Sequence, residues 1–235
     1  MKNIKMPFLL LLLTFCCAFR GVAQTQKTGN LSDDSKVVYN LNEAKKLNGA
    51  YIITRSGDEK ITLRGSYKDG NRIGNWYAFN DDGNLFLRYN YDQKKLLFLD
   101  TMSINRLSVE VITKNQDNKE KATIPVPIVS IDEYISLLGT EARRLILAEN
   151  KNAEGILDVD LNSKIDAKGN VSYEVAYKAD GIPVKKRLII SEKNFDIDWI
   201  PANYKGETYP SVFSVKAKIN FSERASGEKR FTWMF

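Results

Sequence analysis

Apolar positions along this chain fall into distinct textures. Residues 8–13 form an unbroken apolar block, with Lys2 and Lys5 ahead of it and Gly21-Val22-Ala23 behind. Residues 24–45 are polar and aperiodic, which predicts a mobile leader. From 47 to 91 short aromatic and aliphatic runs alternate with Gly49, Gly57, Gly65, Gly70, Gly74 and Gly83. Asp69-Gly70 and Asp82-Gly83 are hairpin turn signals, because glycine tolerates the positive φ of a tight turn. Strands are predicted at 50–55, 60–67, 75–80 and 85–91, with one more around Ile104, Val109 and Val111.

The polar run 114–121 marks a boundary, and Pro125 and Pro127 stiffen the entry to the next segment. Ser130-Ile131-Asp132-Glu133 reads as a capping box, with Glu133 reaching back to the cap. Ile131, Tyr134, Ile135, Leu138, Ala142 and Leu145 then recur at helical spacing, through Gly139 as a candidate break. Beyond the helix the period falls to two. Leu157, Val159 and Leu161 alternate with Asp158, Asp160 and Asn162; Val171, Tyr173, Val175 and Tyr177 form a return strand after Lys168-Gly169-Asn170; Phe213, Val215, Ala217, Ile219 and Phe221 form a last one. Residues 182–198 fit helix or strand. The pattern predicts an α+β, β-rich chain: an N-terminal array of β-hairpins, then an antiparallel sheet packed on one or two helices. The expected divisions are 1–23, a cleavable signal peptide; 24–45, the leader; 46–113, the hairpin domain; 114–123, a linker; and 124–235, the α+β domain.

The hairpin region also repeats. Gly49-Ala50-Tyr51 is matched by Gly74-Asn75-Trp76, Gly57 by Gly83 and Tyr67 by Tyr91, a spacing of about 25 residues that means one stacked hairpin per unit. The stretch Gly65-Ser66-Tyr67-Lys68-Asp69-Gly70-Asn71-Arg72-Ile73-Gly74-Asn75-Trp76, with Asp82-Gly83-Asn84-Leu85 and Tyr89-Asn90-Tyr91, resembles the MORN-variant repeats of YwqK-type, antitoxin-like proteins. That resemblance implies a hairpin array with aromatics along one face, and no reaction. Over about 125–221 the chain resembles the C-terminal domain of TonB energy transducers, in Glu154-Gly155-Ile156-Leu157-Asp158-Val159, Ile165-Asp166-Ala167-Lys168-Gly169-Asn170-Val171, Trp199-Ile200-Pro201-Ala202, Tyr204-Lys205-Gly206-Glu207 and Val215-Lys216-Ala217-Lys218-Ile219-Asn220-Phe221. The resemblance implies pairing of the last strand with a partner's strand. Transducers also carry a permanent anchor and a long Pro-rich spacer, whereas this chain has six prolines.

Export changes the chemistry available. Both cysteines, Cys16 and Cys17, lie in the signal, so the mature chain has none, and lipidation there is the alternative to cleavage after Ala23. The apolar block is shorter than the ~20 residues a membrane span needs, so no transmembrane segment is expected in the mature chain. Losing Lys2, Lys5 and Arg20 lowers the formal charge from +6 to +3, without the basic stripe of a nucleic-acid binder. Lys185-Lys186-Arg187 reads as a solvated face. Histidine is absent, which removes the usual general base and zinc ligand.

Asp158-x-Asp160-x-Asn162 starts like a calcium loop, but Ser163 and Gly169 stand where Gly and Glu belong. Ser226-Gly227-Glu228-Lys229 matches an acyl-transfer pattern without its partner motifs. Asp196 and Asp198 could pair as glycosidase carboxylates, or lie in a solvated loop. No catalytic residue, metal or cofactor is assigned, and binding is favoured over catalysis.

The expected function is a periplasmic or secreted interaction protein. Its candidate site is the edge strand Val212, Phe213, Ser214, Val215, Lys216, Ala217 and Lys218, adding to an extended strand of an envelope protein. Lys216 and Lys218 are residues an edge strand uses against aggregation. Phe231, Trp233 and Phe235 alternate as well, so the tail 223–235 is an equally open candidate to cap that edge from within. The alternative partner is a cell-surface glycan stacked on hairpin aromatics, Trp76 and Tyr89 foremost; those rings could instead form a cross-strand ladder within the sheet. A hydrolase of envelope material using acidic residues is the third reading.

Overall fold

The computed structural model describes residues 25–104, 107–190, 195–222 and 228–234. The expected signal peptide, with Cys16 and Cys17, and the Ser226-Gly227 turn lie outside the described residues. In chain order the elements are β1 (Thr25–Asn30), β2 (Ser35–Leu41), β3 (Leu47–Arg55), β4 (Ile61–Lys68), β5 (Asn71–Phe79), β6 (Leu85–Asn90), β7 (Lys95–Leu99), α1 (Thr101–Ile104), β8 (Ser108–Val111), α2 (Gln116–Lys121), β9 (Val126–Pro127), α3 (Ile131–Glu149), β10 (Ile156–Ile165), β11 (Val171–Ala179), β12 (Ile182–Leu188), β13 (Trp199–Ile200), β14 (Ala202–Tyr204), β15 (Glu207–Tyr209), β16 (Ser211–Asn220) and β17 (Phe231–Trp233). The fold is α+β and β-rich, as the periodicity predicts.

Strands β1 to β7 form one antiparallel meander in sequence order. The β4–β5 hairpin turns on Asp69 and Gly70, at φ 51° and 88°. Positive φ at both central residues matches the twist of the flanking strands, which is why Asp-Gly suits this two-residue turn. Asp180 and Gly181 repeat that geometry, at φ 51° and 78°, and send the chain back as β12. Residues 182–188 are therefore strand, not helix. The second sheet runs β12-β11-β10-β16-β17, with β8 also on β16. Helix α3 covers its inner face, where Tyr134, Trp199 and Phe213 meet edge to face.

Helix α3 is continuous through Gly139. A Cβ there would sit 2.5 Å from Cδ1 of Phe231, so the missing side chain admits β17 against the helix instead of breaking it. Gly65 serves the other sheet in the same way, since a Cβ would fall 2.1 Å from Trp76 Cδ2.

Three divisions differ from the sequence expectation. Residues 25–41 are β1 and β2, not a mobile leader. They read as disordered because β1 is an outer strand exposed along nearly its whole length, so apolar patterning never marks it. Their connecting turn is polar because it docks on α3: Asp33 N–H donates to Thr140 Oγ1 at 2.9 Å, and Arg143 pairs with Asp33 at 3.2 Å. Next, β8 falls within the expected hairpin domain but pairs with β16. Within the expected linker, residues 116–121 form α2, capped by Asn115. One continuous hydrophobic core joins residues of both sheets, from Val37 and Trp76 to Tyr134 and Phe231.

Candidate functional site

The proposed pairing edge of β16 is filled by the chain itself. Its other edge pairs with β10 throughout. On the edge offered to a partner, Ser211 to Ser214 pair with β8, and Ala217 to Ile219 pair with β17. Met234 N–H donates to Lys216 O and Asn220 N–H to Arg230 O, both at 2.9 Å. Strand addition along 212–218 is thus corrected: β17 closes one part of that edge and β8 another. Phe213, Val215 and Ala217 point into the core. Lys216 and Lys218 stand opposite Asp160 and Asp158 on β10, so they answer cross-strand charges.

Trp76 is likewise no exposed platform; it is wholly buried beneath the hairpin sheet. Tyr51 and Tyr67 pack on it, as do Tyr91 and Phe195, and Tyr89 meets Tyr91 edge to face at 4.9 Å. The strand-edge and aromatic candidates lie in different sheets and are not brought together.

A groove of about 700 Å³ opens where this aromatic layer meets the segment 195–198. That volume lies within the ~300–1,000 Å³ of small-molecule and cofactor sites. Its construction follows from register. Tyr67 and Arg72 are cross-strand partners next to the Asp69-Gly70 turn, and Arg72 shares a strand face with Trp76. The Arg72 guanidinium lies 4.5 Å from the Phe195 ring and 5.1 Å from the Trp76 ring. It donates to Tyr67 Oη and Tyr91 Oη, each at 3.0 Å, and to Asp198 Oδ2 at 2.6 Å, and it also bonds Asp196 O. Tyr91 Oη–H donates to the same Asp198 oxygen at 2.7 Å. Burial pushes the Tyr91 and Tyr67 hydroxyls above their ordinary range, so both stay protonated at neutral pH. A fork-shaped cation stacked on rings and anchored by a carboxylate is held in one orientation. Arg72 therefore pins the 195–198 strap onto the hairpin sheet and fixes one wall of the groove.

The remaining wall is mixed. Tyr39 stacks on Tyr51 at 6.1 Å and is half-exposed, while Leu47 adds aliphatic surface. Asn71, Lys45 and Asp196 are exposed polar groups on the rim. The Asp196/Asp198 pair singled out in the sequence thus lies in the groove, with Asp198 engaged by Arg72 and Tyr91.

A second polar cluster lies where the hairpin sheet meets α3, and the sequence does not signal it. Glu133 accepts from Ser35 Oγ at 2.9 Å and from Thr62 Oγ1 at 2.8 Å. Only half of the expected capping box forms: Ser130 Oγ accepts from Glu133 N–H at 3.2 Å, but the carboxyl turns to the other sheet. Burial pushes Glu133 up to about 7 and Asp132 up to about 6. Asp132 accepts from Asp81 N–H, and Lys229 pairs with Asp81. The space left among these groups is about 30 Å³, room for roughly one water molecule and no ligand.

No family model matches this chain, and no solved structure matches it. Among curated proteins it is similar to a tRNA-specific 2-thiouridylase MnmA of Thermosipho melanesiensis, at 25% identity over 177 residues. The match covers 68% of this chain, and the chain spans about half the length of that relative, 51%. Among the described residues, no helix is long and apolar enough to cross a membrane.

Proposed function

We propose that this chain is an exported, non-enzymatic binding protein whose recognition surface is the groove beside Arg72, not the β16 edge. The proposal includes the two resemblances: a MORN-variant-like hairpin array carrying the aromatic layer, and a TonB C-terminal-like module supplying the strap. The observation that carries it is the fixed guanidinium. Arg72 is tied to two tyrosines and Asp198 under stacked rings, so the groove wall is organised before any ligand arrives. Preorganised walls lower the ordering entropy that binding otherwise costs. The same immobility argues against Arg72 or Asp198 as a group that moves a proton during turnover.

The outer strand β12 carries Pro183, Lys185 and Arg187, a composition that discourages strand addition. The similarity to the thiouridylase supplies no activity for this proposal, since Arg72 in the groove is paired with Asp198 and no basic track for RNA is built there.

A photoactivatable residue in place of Asn71, on the groove rim, tests the proposal in the native cell beside one in place of Lys216. A discrete adduct from position 71 and none from 216 is the expected result. An adduct from 216 alone would return recognition to the β16 edge and overturn the proposal.

A further inference from the structure

We infer a second docking surface, on the outer face of the hairpin sheet, for a protein partner that presents carboxylates around an apolar centre. It does not depend on the groove, whose Tyr67 and Arg72 stand on the opposite, Trp76-bearing side of that sheet.

Register builds this surface. Val38, Ile52, Arg64, Tyr77, Arg88 and Phe98 are successive cross-strand partners from β2 to β7, so one line of side chains crosses the sheet. Side chains alternate between the two faces of a strand. The sequence neighbours of this line, Val37, Ile53, Leu63, Trp76, Ala78 and Leu87, all fill the core, and no member of the line belongs to it. Arg64 and Phe98 are exposed, Phe98 at 44%, and the others are half-buried.

The charge of this face is of one sign. No aspartate or glutamate stands in any strand from β1 to β7. Lys36 and Lys68, two strand steps or more from the line on its own side, and Lys95 near its end are exposed. The Arg64 guanidinium lies 5.0 Å from the Tyr77 ring and 5.5 Å from the Phe79 ring. Such ring contacts orient a guanidinium and leave its N–H donors unspent. Arg88 Nε is covered and has no hydrogen-bond partner among the described residues. Neither arginine forms an ion pair among the described residues. Two oriented forks without acceptors call for carboxylates from outside.

Composition and size select a protein as the source. Interfaces between proteins are enriched in aromatic residues and arginine at their centre and depleted in aspartate and glutamate, with a polar rim. The line has that centre and the lysines that rim. At ~4.8 Å between strands and ~3.3 Å per residue, the seven strands present a face of roughly 600–700 Å², near the ~800 Å² that each partner gives to a standard interface. A polyanionic chain would leave Val38 and Ile52 unanswered, since that half of the line carries no charge. A second copy docked face to face would set cations against cations.

The test places a photoactivatable residue at Phe98 of the full chain in the native cell. The crosslinked molecule is identified by mass, and if it is a protein it is purified and titrated against the chain at two salt concentrations. The expected adduct is a protein joined through a segment rich in aspartate or glutamate. Its affinity should fall about tenfold or more in Arg64→Ala and in Arg88→Gln, fall with added salt, and stay unchanged in Lys185→Glu on β12, with unfolding temperatures preserved in all three variants. An adduct with lipid, glycan, nucleic acid or a second copy, an affinity that ignores both arginines, or no adduct at all would overturn the inference. The position-71 probe reads the groove separately, so either surface can fail while the other stands.

Discussion

Glu133 is an acid buried where α3 meets the hairpin sheet, and among the described residues two hydroxyls, of Ser35 and Thr62, donate to its carboxyl. Its neighbourhood includes Asp34, Asp81 and Asp132, with Arg55 and Lys229 as the facing cations. Burial outweighs the hydrogen bonds and raises its pKa from 4.5 to about 7. Between these values the folded state holds a proton that the unfolded chain has released. The stabilising contribution is therefore full below the unfolded value and is lost as pH rises towards about 7, a change of about 3 kcal/mol. Asp132 acts in the same direction over its own lower window, up to about 6. Urea unfolding followed from about pH 5 to 8 should show this decline, and Glu133→Gln, which keeps the shape without the charge, should remove most of it. A wild-type profile that is flat or rises over that interval would contradict the assignment. The sequence marks Glu133 only as a capping residue, because Ser35 and Thr62, which claim its carboxyl, lie far away in the chain.

Among the elements, strands with one wet face and one dry face are legible in the sequence. The alternations at 157–161, 171–177 and 213–221 are β10, β11 and β16, and the Asp69-Gly70 signal is a tight hairpin. The outer strand β1 is not legible: it buries little, so nothing in its apolar pattern distinguishes it from a disordered leader. Gly139 misleads for a related reason. A glycine within a helix costs about 1 kcal/mol relative to alanine, which suggests a break when the partner is unknown. The partner is Phe231, whose ring occupies the space of a Cβ. For Gly139→Ala the gain in helix propensity opposes an overpacking cost of about 1–3 kcal/mol, and the clash should win because the ring is buried. The expected outcome is net destabilisation, with faster tryptic cleavage after Lys229 and Arg230 as β17 lifts away. Unchanged cleavage and stability would mean that β17 does not pack on the helix as described.

At the scale of the molecule, the expected hairpin and α+β domains are not independent. The turn between β1 and β2 docks on α3, β8 crosses into the second sheet, and Arg72 ties the strap to the hairpins. Such contacts join segments far apart in sequence, and no local pattern encodes them. That is why the pattern does not reveal that the edge of β16 is covered. The edge it marks is a real strand with a real amphipathic pattern, but the strands that cover it come from both ends of the second sheet's chain order. Central to the structure is the closure of β16 by β8 and β17. Native-state amide exchange on the intact chain tests this most directly. The expected result is protection of Val212 to Ile219 equal to that of Val159 to Ser163 on β10, with both reporting global unfolding. Rapid exchange at Lys218 and its neighbours while β10 remains protected would show an edge that opens easily, and would return strand addition to β16.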